Sequence, residues 1–136
     1  MTTRRQGFII VVAALAVCCA GPAFANIQTF TIDGDATLAP GGLEVTVTGT
    51  LQCSLGESAS IGVAVAQDRG QQTATASGST QLTCDGSLQS WSIHAITNSG
   101  LKTGPAGARA SAATFLGPPT FVLTDTATAT ARVHLR

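Results

Sequence analysis

Two histidines, four cysteines, seven carboxylates and abundant Ser and Thr are the side chains with which this 136-residue chain could do chemistry. A hydrolase built on His94 or His134 needs a nucleophile at one ring nitrogen and an orienting carboxylate at the other. Serines are plentiful, but no Gly-x-Ser-x-Gly turn presents one as a nucleophile. Zinc would want a third ligand beside the two histidines, and Asp85 or Asp125 could serve only if the fold brought them together by chance. Asp33 and Asp35 flank Gly34, where Asp bonds its own backbone in a turn, and two carboxylates are too few for calcium. The expectation is therefore no catalytic set, no metal and no cofactor, with a hydrolase using His94 or His134 as the enzymatic alternative.

The cysteines divide by position. Arg4 and Arg5, the uncharged run Phe8 to Ala20 and the small-x-small site Ala23-Phe24-Ala25 form the three parts of a secretory signal, which predicts cleavage after Ala25. Residues 1–25 are then a signal peptide and residues 26–136 one secreted domain. The apolar run falls short of the roughly 20 residues of a membrane span, and no later segment approaches that length. Cys18 and Cys19 leave with the signal; lipidation at either one is the alternative that would anchor the protein to a membrane. Cys53 and Cys84 remain as the single pair available for a disulfide in an exported chain. A redox role would want the Cys-x-x-Cys spacing, which is absent.

Without the signal, five basic residues face seven acidic ones, scattered along the chain. Binding nucleic acid requires clustered Lys and Arg to displace phosphate counterions, so that class of partner is excluded.

Period-two alternation dominates the rest. Leu43, Val45, Val47, Gly49, Leu51 and Cys53 alternate with Glu44, Thr46, Thr48, Thr50 and Gln52, as in a strand with one buried face. The same pattern puts Phe30 and Ile32, then Ala59, Ile61, Val63 and Val65, then Ala74, Ala76, Leu82 and Cys84 inward. It continues with Trp91, Ile93 and Ala95, with Ala108, Ala110 and Ala112, and with Ala127, Ala129, Ala131, Val133 and Leu135. Turn residues separate these runs at 33–35, 40–42, 54–57, 68–70, 85–86 and 98–100, and Gly117-Pro118-Pro119 interrupts the last pair. About seven strands without a helix signal predict an all-β, antiparallel, immunoglobulin-like β-sandwich with one disulfide. Antibody domains place the tryptophan between the cysteines, whereas Trp91 follows both, and no tyrosine is present for the usual corner.

The run Val45-Thr46-Val47-Thr48-Gly49-Thr50-Leu51-Gln52-Cys53, then Cys84-Asp85-Gly86, Trp91 and the stretch Gly104 to Ala108 resemble an uncharacterised family of small exported actinobacterial proteins. That resemblance implies a secreted β-domain with a single disulfide and supplies no catalytic or binding residues. The size and the Ala, Gly and Thr bias are also similar to neocarzinostatin-type chromophore carriers, which have two disulfides where residues 26–136 have thiols for one.

Phe30 and Trp91 have inward parity, which leaves Phe115 and Phe121, on either side of Gly117-Pro118-Pro119, as the candidate contact surface. The outward rows Thr46/Thr48/Thr50 and Thr126/Thr128/Thr130 are ordinary for solvated strands. The functional expectation is a non-catalytic extracellular or cell-envelope binding module. Its partner would be a protein, a glycan or a cell-wall component, and an edge strand would permit self-association. The alternative is a small-ligand carrier with an apolar pocket near Phe115 and Phe121.

Overall fold

The computed structural model describes residues 26–97, 99–117 and 120–136. The predicted signal, including Cys18 and Cys19, lies outside the described residues, as do Pro118 and Pro119. The strands are β1 (Ile27–Ile32), β2 (Asp35–Leu38), β3 (Glu44–Cys53), β4 (Ser58–Arg69), β5 (Gln72–Thr83), β6 (Leu88–Ile96), β7 (Gly104–Leu116) and β8 (Val122–Leu135).

All eight belong to one sheet that closes on itself. One edge of β3 pairs with β6 from Glu44↔Ile96 to Gln52↔Leu88. Its other edge takes β1 beside Gly49 to Cys53 and β2 beside Val45 and Thr46. The chain steps off β3 at Gly34, whose carbonyl accepts the His134 amide at 2.8 Å, and β2 then runs parallel to the end of β8. Antiparallel ladders continue through β7, β4 and β5. A single bridge, Ser77↔Ile96, returns the ring to β6. With β1 and β2 sharing one position, the result is a closed seven-position barrel.

The all-β class and the single disulfide agree with the alternation, while the arrangement differs from two separate sheets. Alternation tells which side chains face inward and is silent on how edges meet. The short β2 was also not expected, since only the turns on either side of it carry a sequence signal. Leu43 has inward parity but precedes the strand and is exposed. β7 starts at Gly104, earlier than expected, and so includes Pro105. Its missing N–H costs nothing there, because the β4 ladder stops at Ala66↔Gly107.

The interior is filled unevenly. β5 and β7 contribute the small side chains Ala74, Ala76, Ala106, Ala108, Ala110 and Ala112, while β3 and β6 supply Val45, Val47, Leu51, Trp91 and Ile93. Large residues against small ones let the two sides approach closely. Trp91 sits opposite Gly49, its ring centroid is 6.0 Å from that of Phe30, and its indole N–H donates to the Thr50 carbonyl at 3.2 Å. Gly49 is required for this: an added Cβ would lie 2.0 Å from the Thr31 oxygen and 2.5 Å from Trp91 Cζ2. At the sparse seam, a Cβ on Gly78 would come within 2.7 Å of the His94 carbonyl oxygen, so β5 and β6 are in backbone contact. Further along, where these strands have no ladder, Cys53–Cys84 ties the end of β5 to β3.

Candidate functional site

The disulfide end of the barrel holds the greatest concentration of unusual chemistry. Residues Ser54 to Glu57 form a turn closed by the Glu57 amide on the Ser54 carbonyl at 3.2 Å, with Gly56 at φ 92°. The turn delivers Glu57 to the inward row of β4, where its side chain is 4% exposed. One carboxylate oxygen accepts the Thr124 hydroxyl at 2.7 Å and the other accepts the Asn26 side-chain amide. Thr124 is the extra residue of a bulge, between the pairs Thr114↔Asp125 and Phe115↔Leu123. The bulge turns its hydroxyl from the outward row toward Glu57 and the buried Thr114, whose hydroxyl is 2.8 Å away. Next to it, Asp125 Oδ2 accepts the Ile27 amide at 2.9 Å. Among the described residues, no Lys, Arg or His side chain forms an ion pair with Glu57 or Asp125. The buried Glu57 carboxyl is thus held by the neutral donors Thr124 and Asn26.

Around this polar centre the rim is stiff and apolar. Asp85 Oδ1 accepts the Ser87 hydroxyl at 2.7 Å and the Ser87 amide at 2.8 Å, which holds its carboxyl below the usual carboxylate range. The Gly86 amide donates to the Cys53 carbonyl and the Cys84 amide to the Glu57 carbonyl, so both rim turns are fastened beside the disulfide. Six large apolar side chains are nevertheless exposed at this end: Leu55 (76%), Leu88, Leu116, Phe121 (63%), Val122 and Leu123. Phe121 lies just beyond the Leu116↔Val122 pair at the tip of the β7–β8 hairpin, whereas Phe115 is half-buried beside Ser58. The predicted contact pair is therefore split, with Phe121 outermost and Phe115 forming part of the base.

The histidines lie elsewhere. His94 Nδ1 is 2.8 Å from Glu44 Oε2 and 3.0 Å from Thr46 Oγ1, on the open outer face of β3 and β6. Carboxylate, imidazole and hydroxyl are the residue types of a proton relay, but here both partners face the same ring nitrogen, so the connectivity of a relay is missing. His134 is exposed on β8 opposite Asp35, which pairs with Arg136 at 3.1 Å. Asp33 accepts the Thr48 hydroxyl at 2.6 Å. No cluster of three His, Cys, Asp or Glu side chains suited to a metal occurs among the described residues.

The opposite end is plugged by Leu101, 4% exposed, on a loop held from both sides. The buried Gln67 receives the Lys102 amide at 2.9 Å and donates to the Lys102 carbonyl at 2.7 Å, while Arg69 donates to the Ser99 carbonyl at 3.0 Å.

Among the described residues, Glu57, Gln67, Thr97 and Thr114 are the buried polar ones, and the apolar sequence pattern alone singles out none of them. A signal was present. Each stands one step of two beyond an inward apolar row: Glu57 and Gln67 bracket Ala59–Val65, Thr97 follows Ala95 and Thr114 follows Ala112. Inward parity thus continues past the apolar residues and ends on groups that close the barrel by hydrogen bonds. Thr124 had no such signal, because its orientation comes from the bulge.

The chain belongs to a family of unknown function, DUF6299, whose model matches residues 26–133 and so begins at the residue that bonds Glu57. A search of the curated proteins finds no match.

Proposed function

We propose that this family member is an exported, non-catalytic interaction module that meets a protein partner through the apolar disulfide end of its barrel. The observation that carries this reading is the grouping of Leu55, Leu88, Leu116, Phe121, Val122 and Leu123 in exposed positions around turns fixed by hydrogen bonds and a disulfide. Exposed apolar groups gathered at one end mark interaction surfaces more often than they occur by chance, and a pre-ordered surface loses little entropy on binding. Export is supported by the leader pattern of residues 1–25 and by a disulfide, which persists in oxidising compartments. The barrel also supports an immunoglobulin-like reading. Its dense ladders form the groups β1-β3-β6 and β5-β4-β7-β8, joined among the described residues by the sparse pairings Ser77↔Ile96 and β2–β8 and by the Cys53–Cys84 disulfide.

The test is retention of purified protein by the cell-envelope fraction of the producing organism. Substituting Phe121→Ser together with Leu116→Ser should weaken retention about tenfold or more, as losing an apolar anchor does, while His94→Ala leaves it unchanged. Equal loss with His94→Ala, or no loss with the apolar substitutions, would overturn the assignment of this end.

A further inference from the structure

We propose that the amino terminus created by cleavage before Asn26 is a working part of the fold. Its α-ammonium group docks between the carboxylates of Glu57 and Asp125, so the chain reaches full stability only after the leader is removed. The inference rests on the cleavage reading above and on geometry independent of it.

Asn26 is fixed at this place by its own atoms. Its side-chain amide donates to Glu57, and its carbonyl accepts the Ser54 amide at 3.0 Å. The next amide, that of Ile27, donates to Asp125 at 2.9 Å, and only the Cα and carbonyl carbon of Asn26 separate that nitrogen from the α-nitrogen. Residue 26 is thus held with one carboxylate on its side chain and another on the amide that follows it. In the uncleaved chain its nitrogen is a neutral amide with a single hydrogen. Cleavage replaces that amide with an ammonium carrying three donors and the positive charge that Glu57 and Asp125 lack among the described side chains. The charged groups bonded to residue 26 and to the amide after it are Glu57 from the start of β4 and Asp125 from β8. The nearby end of β3, the turn after it and β7 contribute Cys53, Ser54 and Thr114, which carry no charge.

The sign of the pH dependence follows. Two carboxylates raise the α-ammonium pKa in the folded state above its ordinary value of about 7.7–8.0. The stabilisation is then fully present below that ordinary value and is lost as pH rises through the raised folded value.

The experiment compares protein beginning at Asn26, released from a fusion without extra residues, with the same protein acetylated at the α-nitrogen and with one extended by Ala25. The α-amine pKa is read by NMR and Tm is followed from pH 6 to 10. The free amine should titrate at least one unit above its ordinary range, with Glu57→Gln or Asp125→Asn moving it back. At pH 7 the free-amine protein should melt roughly 5 °C above the acetylated and extended forms, a typical shift for one added charge interaction in a small domain. That gap should close at high pH. An ordinary α-amine pKa together with equal Tm values would overturn the docking. The intact mass of the exported chain tests processing separately: a terminus other than Asn26 would overturn the link to leader removal, whatever the pKa measurement gives.

Discussion

Replacing Gly49 with Ala adds a single methyl group in the middle of β3, at a position whose φ is ordinary for any residue. Were space available, the change would stabilise the protein by about 0.4–1 kcal/mol through the unfolded chain. Space is not available. The added carbon would lie 2.0 Å from the Thr31 oxygen, 2.5 Å from Trp91 Cζ2 and 2.7 Å from Trp91 Cε2. The Trp91 ring is buried against Phe30 and tied by its N–H to Thr50, so it cannot swing away without breaking both contacts. The Thr31 oxygen is backbone, so relief on that side requires β1 to move off β3. Overpacking a filled core costs about 1–3 kcal/mol, and two opposed obstacles put Gly49→Ala at the upper end, about 3 kcal/mol. Gly62→Ala is the matched control, because an added Cβ there meets nothing nearer than 3.9 Å on the outward side of β4. Urea unfolding followed by the fluorescence of Trp91, the chain's one tryptophan, measures both. The expected outcome is a large loss for Gly49→Ala and a neutral or slightly stabilising change for Gly62→Ala. A loss below about 0.5 kcal/mol at Gly49, within the range of ordinary surface changes, would refute the packing of Trp91 on β3.

Other perturbations address the closure and its rim. Cys53→Ser with Cys84→Ser opens a loop spanning 31 positions and should cost about 3–4 kcal/mol by loop entropy, measured as a lower urea midpoint. Gly78→Ala should lower Tm by separating β5 from β6 at the Ser77↔Ile96 bridge, and hydrogen exchange should quicken at Ser77 and Ile96 ahead of the β4–β7 ladder. Asp85 has a carboxyl lowered by its bonds to Ser87, so its contribution is present above the unfolded value of about 3.9 and is lost as pH falls through the lower folded value. The Tm advantage of wild type over Asp85→Ala should therefore hold at pH 6 and shrink progressively below pH about 4.

Much of the fold was legible because a half-buried strand leaves an unambiguous mark. Val45, Val47 and Leu51 on one parity with Thr46, Thr48 and Thr50 on the other determine which face of β3 is inward, and the Cys53 sulfur follows. Closure was not legible, because it depends on where Gly34 lets the chain leave β3 and on one backbone approach at Gly78, neither of which alters the alternation. Leu43 shows the opposite failure: it keeps the parity of β3 but lies before its first residue, so the pattern outruns the ladder. At the disulfide end, Phe121 was readable as an aromatic beside a Gly-Pro-Pro turn. The rest of the rim was not, since Leu55, Leu88 and Leu116 come from three separate segments gathered only by the pairings of Ser58 with Phe115 and of Gln52 with Leu88. Glu57 would have been found by carrying the β4 parity one step further, whereas its partners Asn26 and Thr124 come from the residue before β1 and from a bulge.

The proposed role is tested most directly by a photo-crosslinking residue placed at position 121, with the outward position 75 of β5 as control, in protein exported by the producing cells. The account predicts a discrete crosslinked protein from position 121 that is absent from position 75 and disappears when Leu116→Ser is added. Crosslinking that is equal at both positions, or present only at position 75, would contradict the assignment of the apolar end as the contact surface.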